Sequence, residues 1–224
     1  MLEALFHVVG YGLCHQLPER SFIAGGYQLP VCARDTGIYL GFALSATIIV
    51  LVERGRRSTE VPRAPWLIAG VAFLAAMAFD GVTSYAGLRS TTNDLRLSTG
   101  LLAGYALPLL VVPMLNGQLW RAASRERLLE GGRGWIWLAS VPVSYGVIKW
   151  VLPVTGAVYP LLVTIAILFT FAVVNLVIVT VVPVFERRAR RLADAGPQIA
   201  VAVALTIAEL AGAYALRVLL TRSL

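Results

Sequence analysis

Charged residues are scarce in this chain of 224 residues, at 14% of the total, whereas hydrophobic residues make up 58%. Ordinary soluble domains have roughly 25% charged residues. The composition therefore excludes that class and indicates an integral membrane protein in contact with the lipid bilayer. Histidine is rarer still: His7 and His15 are the two present, which excludes a zinc site built on three histidines. No phosphate-binding loop, cofactor motif or nucleophile elbow is visible in the sequence.

The N-terminal segment lacks the features of a cleaved signal peptide. It has Glu3, no early Lys or Arg and no A-x-A-like site, so we expect it to remain in the mature protein. Its apolar residues follow a helical stripe, with Leu2, Leu5, Phe6 and Val9 on one face. About 14 helical residues reach only roughly 21 Å, which is too short for a hydrocarbon layer of about 30 Å. We predict a short helix that lies at the interface or packs inward.

Six longer apolar runs follow, and they predict an all-α fold: a six-helix transmembrane bundle, preceded by the short helix and an ordered loop. We treat residues 1–224 as one integral membrane domain, with residues 1–35 forming the N-terminal helix and loop. The predicted spans are residues 36–52, 66–88, 97–120, 135–152, 159–185 and 198–220. Pro108, Pro113 and Pro142 predict kinks, and small residues such as Gly100 and Gly104 predict close helix packing.

The arginines predict the orientation of the bundle. Twelve lie in the connections after the first, third and fifth spans, and six lie on the other side. The positive-inside rule then predicts a multi-pass protein of the plasma (inner) membrane with both termini and the N-terminal loop on the exoplasmic side. Because the same short basic blocks account for the formal charge of +7, we expect no nucleic-acid partner.

Chemistry-bearing residues concentrate in the stretch from Cys14 to Tyr39. Cys14, His15, Cys32 and Asp35 are four potential ligands for Zn²⁺, of which His15 is the weakest because adjacent side chains diverge. A disulfide between Cys14 and Cys32 is the competing interpretation, since an even number of cysteines on the exoplasmic side permits it. Two unmodified thiols are the third possibility, and the sequence leaves all three open.

A second polar group is predicted around Asp80, an intramembrane carboxylate that needs a partner. We expect an ion pair with Lys149, Arg89 or Arg96. If the protein is an enzyme, Asp80 and Glu19 are the candidate acids or bases. The candidate residues for holding an anionic substrate group are Arg89, Asn93 and Arg96.

Glu209 lies about eleven residues into the sixth span, near the middle of the membrane. It is expected to form an interhelical hydrogen bond, for which Asn175 and Asn116 are available. A transporter would instead need a polar path that links Asp80, Glu209 and Asn175.

Several short motifs occur together in the first half of the chain: CHQLPERSF, then GYQLPVCAR-TGIYLGF, then Asp80-Gly81 and RSTTNDLRLSTG. Over roughly residues 11–104 the chain resembles a family of bacterial and archaeal polytopic membrane proteins known only as a domain of unknown function. The family pattern is CHQ-x-PERSF, GYQ-x-PVCARCTGIY, DGxxQ and ESTN-x-LR-x-x-TG. Asp35 stands where the family has its third cysteine, Ser84 where it has glutamine and Ser90 where it has glutamate. The chain therefore looks like a diverged member, and the resemblance carries no activity over to it.

Three functions remain open at this point. A non-catalytic accessory or structural subunit of a membrane assembly, with other membrane subunits as partners, is slightly favoured by the lost third cysteine. A metal-assisted enzyme that acts on a lipid-like substrate at the exoplasmic face is the first alternative. A small transporter is the second.

Overall fold

The computed structural model describes residues 2–222 and bears out the predicted all-α membrane bundle. Within the described residues, six helical segments are long and apolar enough to cross a membrane. They are Ala33–Glu53, Ala64–Tyr85, Asn93–Leu119, Arg133–Thr155, Val158–Val181 and Leu192–Arg222. The short helix α1 precedes them at Leu2–Tyr11, and its ten residues are too few to span a bilayer.

The spans contain seven further α-helices because the third of the six is divided into two. We number them α2 (Ala33–Glu53), α3 (Ala64–Tyr85), α4 (Asn93–Ala106), α5 (Pro108–Leu119), α6 (Arg133–Gly146), α7 (Val158–Val181) and α8 (Gly196–Arg222). Pro108, which has no N–H to donate, stands at the break between α4 and α5. In the fourth span α6 is followed by a π-helical segment, Val147–Val151, and a 3-10 turn, Leu152–Thr155. Proline therefore shapes the third span as the sequence predicts.

The fifth span ends earlier than predicted. Helix α7 stops at Val181, four residues before the expected end at residue 185. Val182 has an extended conformation, with φ −69° and ψ 126°. This is the conformation that a following proline, here Pro183, imposes on the residue before it.

The bundle is closest-packed between α2 and α4. A Cβ atom added to Gly100 would lie only 2.0 Å from the Arg34 carbonyl oxygen, and one on Gly104 would lie 2.2 Å from the Ile38 carbonyl oxygen, both far shorter than a van der Waals contact. Only glycine allows the two backbones this approach, as in other small-residue helix contacts in membranes. The contact fixes the start of α2, which carries Arg34 and Asp35, against α4.

The connections meet at two opposite ends of the bundle. At one end, residues 12–32 contain a hairpin of β1 (Ile23–Ala24) and β2 (Tyr27–Gln28) and contact the start of α4, next to the α3–α4 connection. At the other end, β3 (Ser58–Glu60) pairs in parallel with β4 (Ser124–Arg127), an element that the sequence did not predict. Arg57 also donates a hydrogen bond to the Arg190 carbonyl there, at 2.8 Å. The three arginine-rich connections therefore share one end. We call the other end, which holds α1, residues 12–32 and the α3–α4 connection, the motif face.

Candidate metal centre and polar clusters

Cys14, Cys32 and Asp35 converge on the motif face. Their sulfur and carboxylate ligand atoms all lie within 4.8 Å of one another. The Cys32 thiol donates to Asp35 Oδ2 at 3.3 Å, and the Cys32 backbone N–H donates to Cys14 Sγ at 3.2 Å. Both cysteines are free thiols and are half-buried. The arrangement offers two sulfur ligands and one oxygen ligand, a set that suits Zn²⁺.

The loop between the two cysteines folds back on itself, and a glycine turn and two side-chain hydrogen bonds stabilise this conformation. Gly25 and Gly26 have φ values of +57° and +82°, which allow the tight reversal between β1 and β2. Gln16 Nε2 donates to the Pro30 carbonyl at 2.8 Å, and Gln28 Nε2 donates to the Gln16 carbonyl at the same distance. These bonds bring the segment that follows Cys14 beside the segment that precedes Cys32.

Helix positions complete the site. Cys32 is the N-cap residue of α2, and Asp35 lies in the first turn of that helix, three residues later. One turn of helix therefore places the Asp35 side chain beside the Cys32 thiol. Arg217 of α8 donates to the carbonyl oxygens of Tyr11 and Cys14 and so ties the last helix to the same site.

The two thiols differ in acidity because they share a hydrogen bond. Hydrogen bonding with the Cys32 side chain lowers the pKa of Cys14 to about 7, from an ordinary value of 9.0, against the opposing effect of burial. The same bond, together with burial and the Asp35 carboxylate, raises the pKa of Cys32. Near neutral pH the metal-free pair therefore tends to hold one thiolate, on Cys14.

Among the described residues, the cluster of potential metal ligands consists of Cys14, Cys32 and Asp35 and does not include His15. Its side chain is exposed and lines a separate groove with Glu3, His7 and Tyr11. The ring of His7 stacks on Tyr11, with centroids 5.0 Å apart. Consecutive side chains point apart, so placing Cys14 inward turns His15 outward.

Asp80 is 1% exposed, and four side chains donate to its carboxylate. Arg34 Nη2 and Arg89 Nη2 form ion pairs with it, the second at 2.5 Å. The hydroxyls of Thr91 and Thr99 donate at 2.9 and 3.3 Å. The lone-pair capacity of the carboxylate is thus largely filled from within the protein.

The expected ion pair of Asp80 is confirmed with Arg89, one of the three candidate cations, whereas Lys149 and Arg96 have other partners. Lys149 Nζ instead contacts Asp94 Oδ2 at 2.7 Å, because Asp94 at the start of α4 lies nearer the end of the fourth span. Arg96 donates to Asn93 Oδ1 at 3.0 Å. Sequence reasoning missed Arg34, although it is the cation at the motif-face end of the neighbouring α2 and lies at the depth of Asp80. That signal was available.

The other candidate residues for catalysis and substrate binding also make internal contacts. Asn93 Nδ2 donates to the backbone carbonyl of Glu19 at 3.1 Å and so joins the start of α4 to residues 12–32. Glu19 itself lies in a 3-10 turn, Pro18–Arg20, and is exposed. The structure thus uses Arg89, Asn93 and Arg96 to hold the motif face together.

Glu209 forms the expected interhelical hydrogen bond. Asn175 of α7 is 2% exposed, and its Nδ2 donates to Glu209 Oε2 at 2.8 Å and to Thr206 Oγ1 at 3.1 Å. Glu209 itself is exposed on the surface of α8, close to the midpoint of that helix. A second acid, Glu53, is buried at the opposite end, where it accepts hydrogen bonds from Ser58, the Leu129 backbone and Arg133.

Comparisons with known proteins agree with the family resemblance. The model of the family described as "Predicted membrane protein (DUF2085)" matches residues 14–110. An uncharacterised protein of Methanocaldococcus jannaschii is 34% identical over 109 residues, which cover 49% of this chain and 67% of that protein. An uncharacterised protein of Methanothermobacter thermautotrophicus is 38% identical over 98 residues, or 44% of this chain and 83% of the relative. No solved structure matches significantly. The chain therefore belongs to the DUF2085 family of membrane proteins.

Proposed function

We propose that the chain acts as a non-catalytic accessory or structural subunit of a larger membrane assembly. The observation that carries this proposal is the position of Glu209. Its carboxyl group lies near the midpoint of α8 on a surface that no other part of the described chain covers, although Asn175 donates to one of its oxygens.

A carboxyl group in this position is unfavourable in lipid. Insertion scales assign about 2.5–3.5 kcal/mol to a charged side chain at the centre of a spanning helix. The hydrogen bond from Asn175 offsets part of this cost and leaves the exposed part of the group facing hydrocarbon. A transmembrane helix of another subunit that carries a basic side chain or a hydrogen-bond donor at the same depth would satisfy the remainder.

The surroundings of Asp80 favour a structural role over catalysis. A general acid or base must exchange a proton with a substrate, whereas the Asp80 carboxylate already accepts from two arginines and two threonines and is almost fully buried. A transporter would need a continuous polar path, yet Asp80 and Glu209 have separate sets of partners. Both alternatives are therefore less well supported.

We also propose that the motif face is exoplasmic and that the arginine-rich end is cytoplasmic. The twelve-to-six distribution of arginines supports this orientation. The gathering of all three arginine-rich connections at one end supports it further, because a mixed arrangement would have removed the charge asymmetry.

Native mass spectrometry on the chain purified from its own host membranes in a mild detergent tests the subunit proposal. The wild-type chain should carry a second polypeptide at fixed stoichiometry. Glu209→Leu should lose that polypeptide, and Glu209→Gln, which keeps the hydrogen bond with Asn175, should retain part of it. Val82→Leu is the matched control, since Val82 is a lipid-exposed residue of another span and is 68% exposed. A wild-type chain found alone or only with copies of itself contradicts the proposal, as does full retention of the partner by Glu209→Leu.

A further inference from the structure

We propose that Cys14, Cys32 and Asp35 bind one Zn²⁺ ion through two thiolate sulfurs and one carboxylate oxygen, with the fourth coordination position open to water or an external ligand. This inference is argued from residues of the motif face. It does not depend on the subunit proposal, which is argued from Glu209 of α8.

The spacing of the three atoms fits a single zinc ion. Zinc binds sulfur at about 2.3 Å and carboxylate oxygen at about 2.0–2.2 Å, so tetrahedral ligand atoms lie roughly 3.4–3.8 Å apart. Cys32 Sγ and Asp35 Oδ2 are 3.3 Å apart, and all three ligand atoms lie within 4.8 Å of one another. The largest of these separations exceeds the zinc spacing by at most about 1.4 Å.

The backbone of the site is held in place independently of any ion. Arg217 fixes the carbonyl of Cys14, Gln16 fixes the carbonyl of Pro30, and the start of α2 is packed against Gly100 of α4. The Cys32 N–H that points at Cys14 Sγ is the kind of outer-shell donor that orients and stabilises a metal-bound thiolate. A site with ligands already positioned loses little conformational entropy when it binds the ion.

Asp35 distinguishes a metal site from a disulfide. Its carboxylate accepts its hydrogen bond from the Cys32 thiol, and a disulfide would remove that donor while leaving the half-buried carboxylate beside two sulfurs. A zinc ion instead supplies positive charge to all three groups. Two thiolates, one carboxylate and Zn²⁺ leave a net charge of about −1.

The test begins with the full-length wild-type protein, purified without chelators. Elemental analysis should find about one zinc per chain. Replacement of zinc by Co²⁺ should produce the near-ultraviolet sulfur-to-cobalt absorption and the visible bands of a tetrahedral site, and both Cys14→Ser and Cys32→Ser should abolish them. Asp35→Asn, which keeps the shape of the side chain, should weaken zinc binding at least about tenfold.

His15→Ala is the matched control, because His15 is adjacent to Cys14 in sequence and outside the ligand group. It should bind zinc as the wild type does, and so should Glu209→Leu, which separates this test from that of the subunit proposal. The wild-type result does not depend on the folding of any variant, and elution from size-exclusion chromatography checks the variants.

Alkylation of the wild-type thiols with and without reductant identifies the outcomes that overturn the inference. No bound zinc with thiols that react only after reduction means a disulfide. No bound zinc with thiols that react freely means two unmodified cysteines. Loss of zinc in His15→Ala with retention in Asp35→Asn would mean a different set of ligands.

Discussion

Arg34 and Asp35 are neighbours in the sequence, but their side chains serve two different clusters. Arg34 pairs with Asp80 of α3, whereas Asp35 accepts from the Cys32 thiol. The first turn of α2 thus links the intramembrane ion cluster to the candidate metal centre, and the close contact of α2 with Gly100 holds both in position. A change in one cluster is therefore expected to affect the stability of the other.

Replacing Asp80 by Ala should destabilise the protein far more than replacing Asp94. Asp80→Ala leaves Arg34 and Arg89 unpaired. Removing one partner of a buried ion pair costs about 3–5 kcal/mol in unfolding free energy, and solvation of the half-exposed Arg89 lowers that cost. The Asp94–Lys149 pair is exposed at the surface, where solvent screens the attraction, so its loss should change stability little. Thermal unfolding in detergent measures the difference. Equal shifts in Tm for the two variants would contradict a special role for Asp80.

Replacing Gly100 by Ala should separate α2 from α4. The added Cβ would overlap the Arg34 carbonyl oxygen, and such overpacking typically costs about 1–3 kcal/mol. Gly212→Ala on α8 is the control, since a Cβ there meets open space, and its Tm should stay unchanged or rise slightly. A Gly100→Ala protein as stable as the wild type would mean that the two helices do not pack this closely.

The reactivity of Cys14 should depend on pH with a midpoint near 7 in the metal-free, reduced protein. The hydrogen bond from Cys32 lowers the pKa of Cys14 to about 7, so the thiolate fraction and the alkylation rate rise as the pH passes upward through that value. Cys32→Ala removes the thiol donor, and the midpoint should move toward the ordinary value of 9.0. Iodoacetamide kinetics on the two proteins measure both midpoints. A wild-type midpoint near the ordinary thiol value would show that the shared hydrogen bond is absent.

Reporter fusions should locate the two ends of the bundle. A reporter that is active only outside the cytoplasm should work when it is fused after Leu224. One that is active only in the cytoplasm should work when it is inserted at Gly132, in an exposed connection at the arginine-rich end. The reverse pattern would contradict the proposed orientation.

The sequence by itself determined the number of spans, the short reach of α1, the break at Pro108 and the alternation of the connections between two ends. These features depend on local hydropathy, on the length of apolar runs and on proline geometry, all of which can be read along the chain. The family followed in the same way from motifs that stand as short contiguous strings. The side-chain contact of Glu209 with Asn175 was also within reach, because few polar groups occur inside the spans.

Only the tertiary structure decided which partner each polar side chain takes. It paired Asp80 with Arg34 and Lys149 with Asp94, and it turned His15 away from Cys14. It also joined β3 to β4, although residues 61–123 separate these strands in the chain. Hydropathy assigns depth in the membrane, but several cations share the depth of Asp80, and depth alone does not say which of them faces it. That choice depends on the rotation of each helix about its axis and on how closely α2 approaches α4, which the packing of the whole bundle sets.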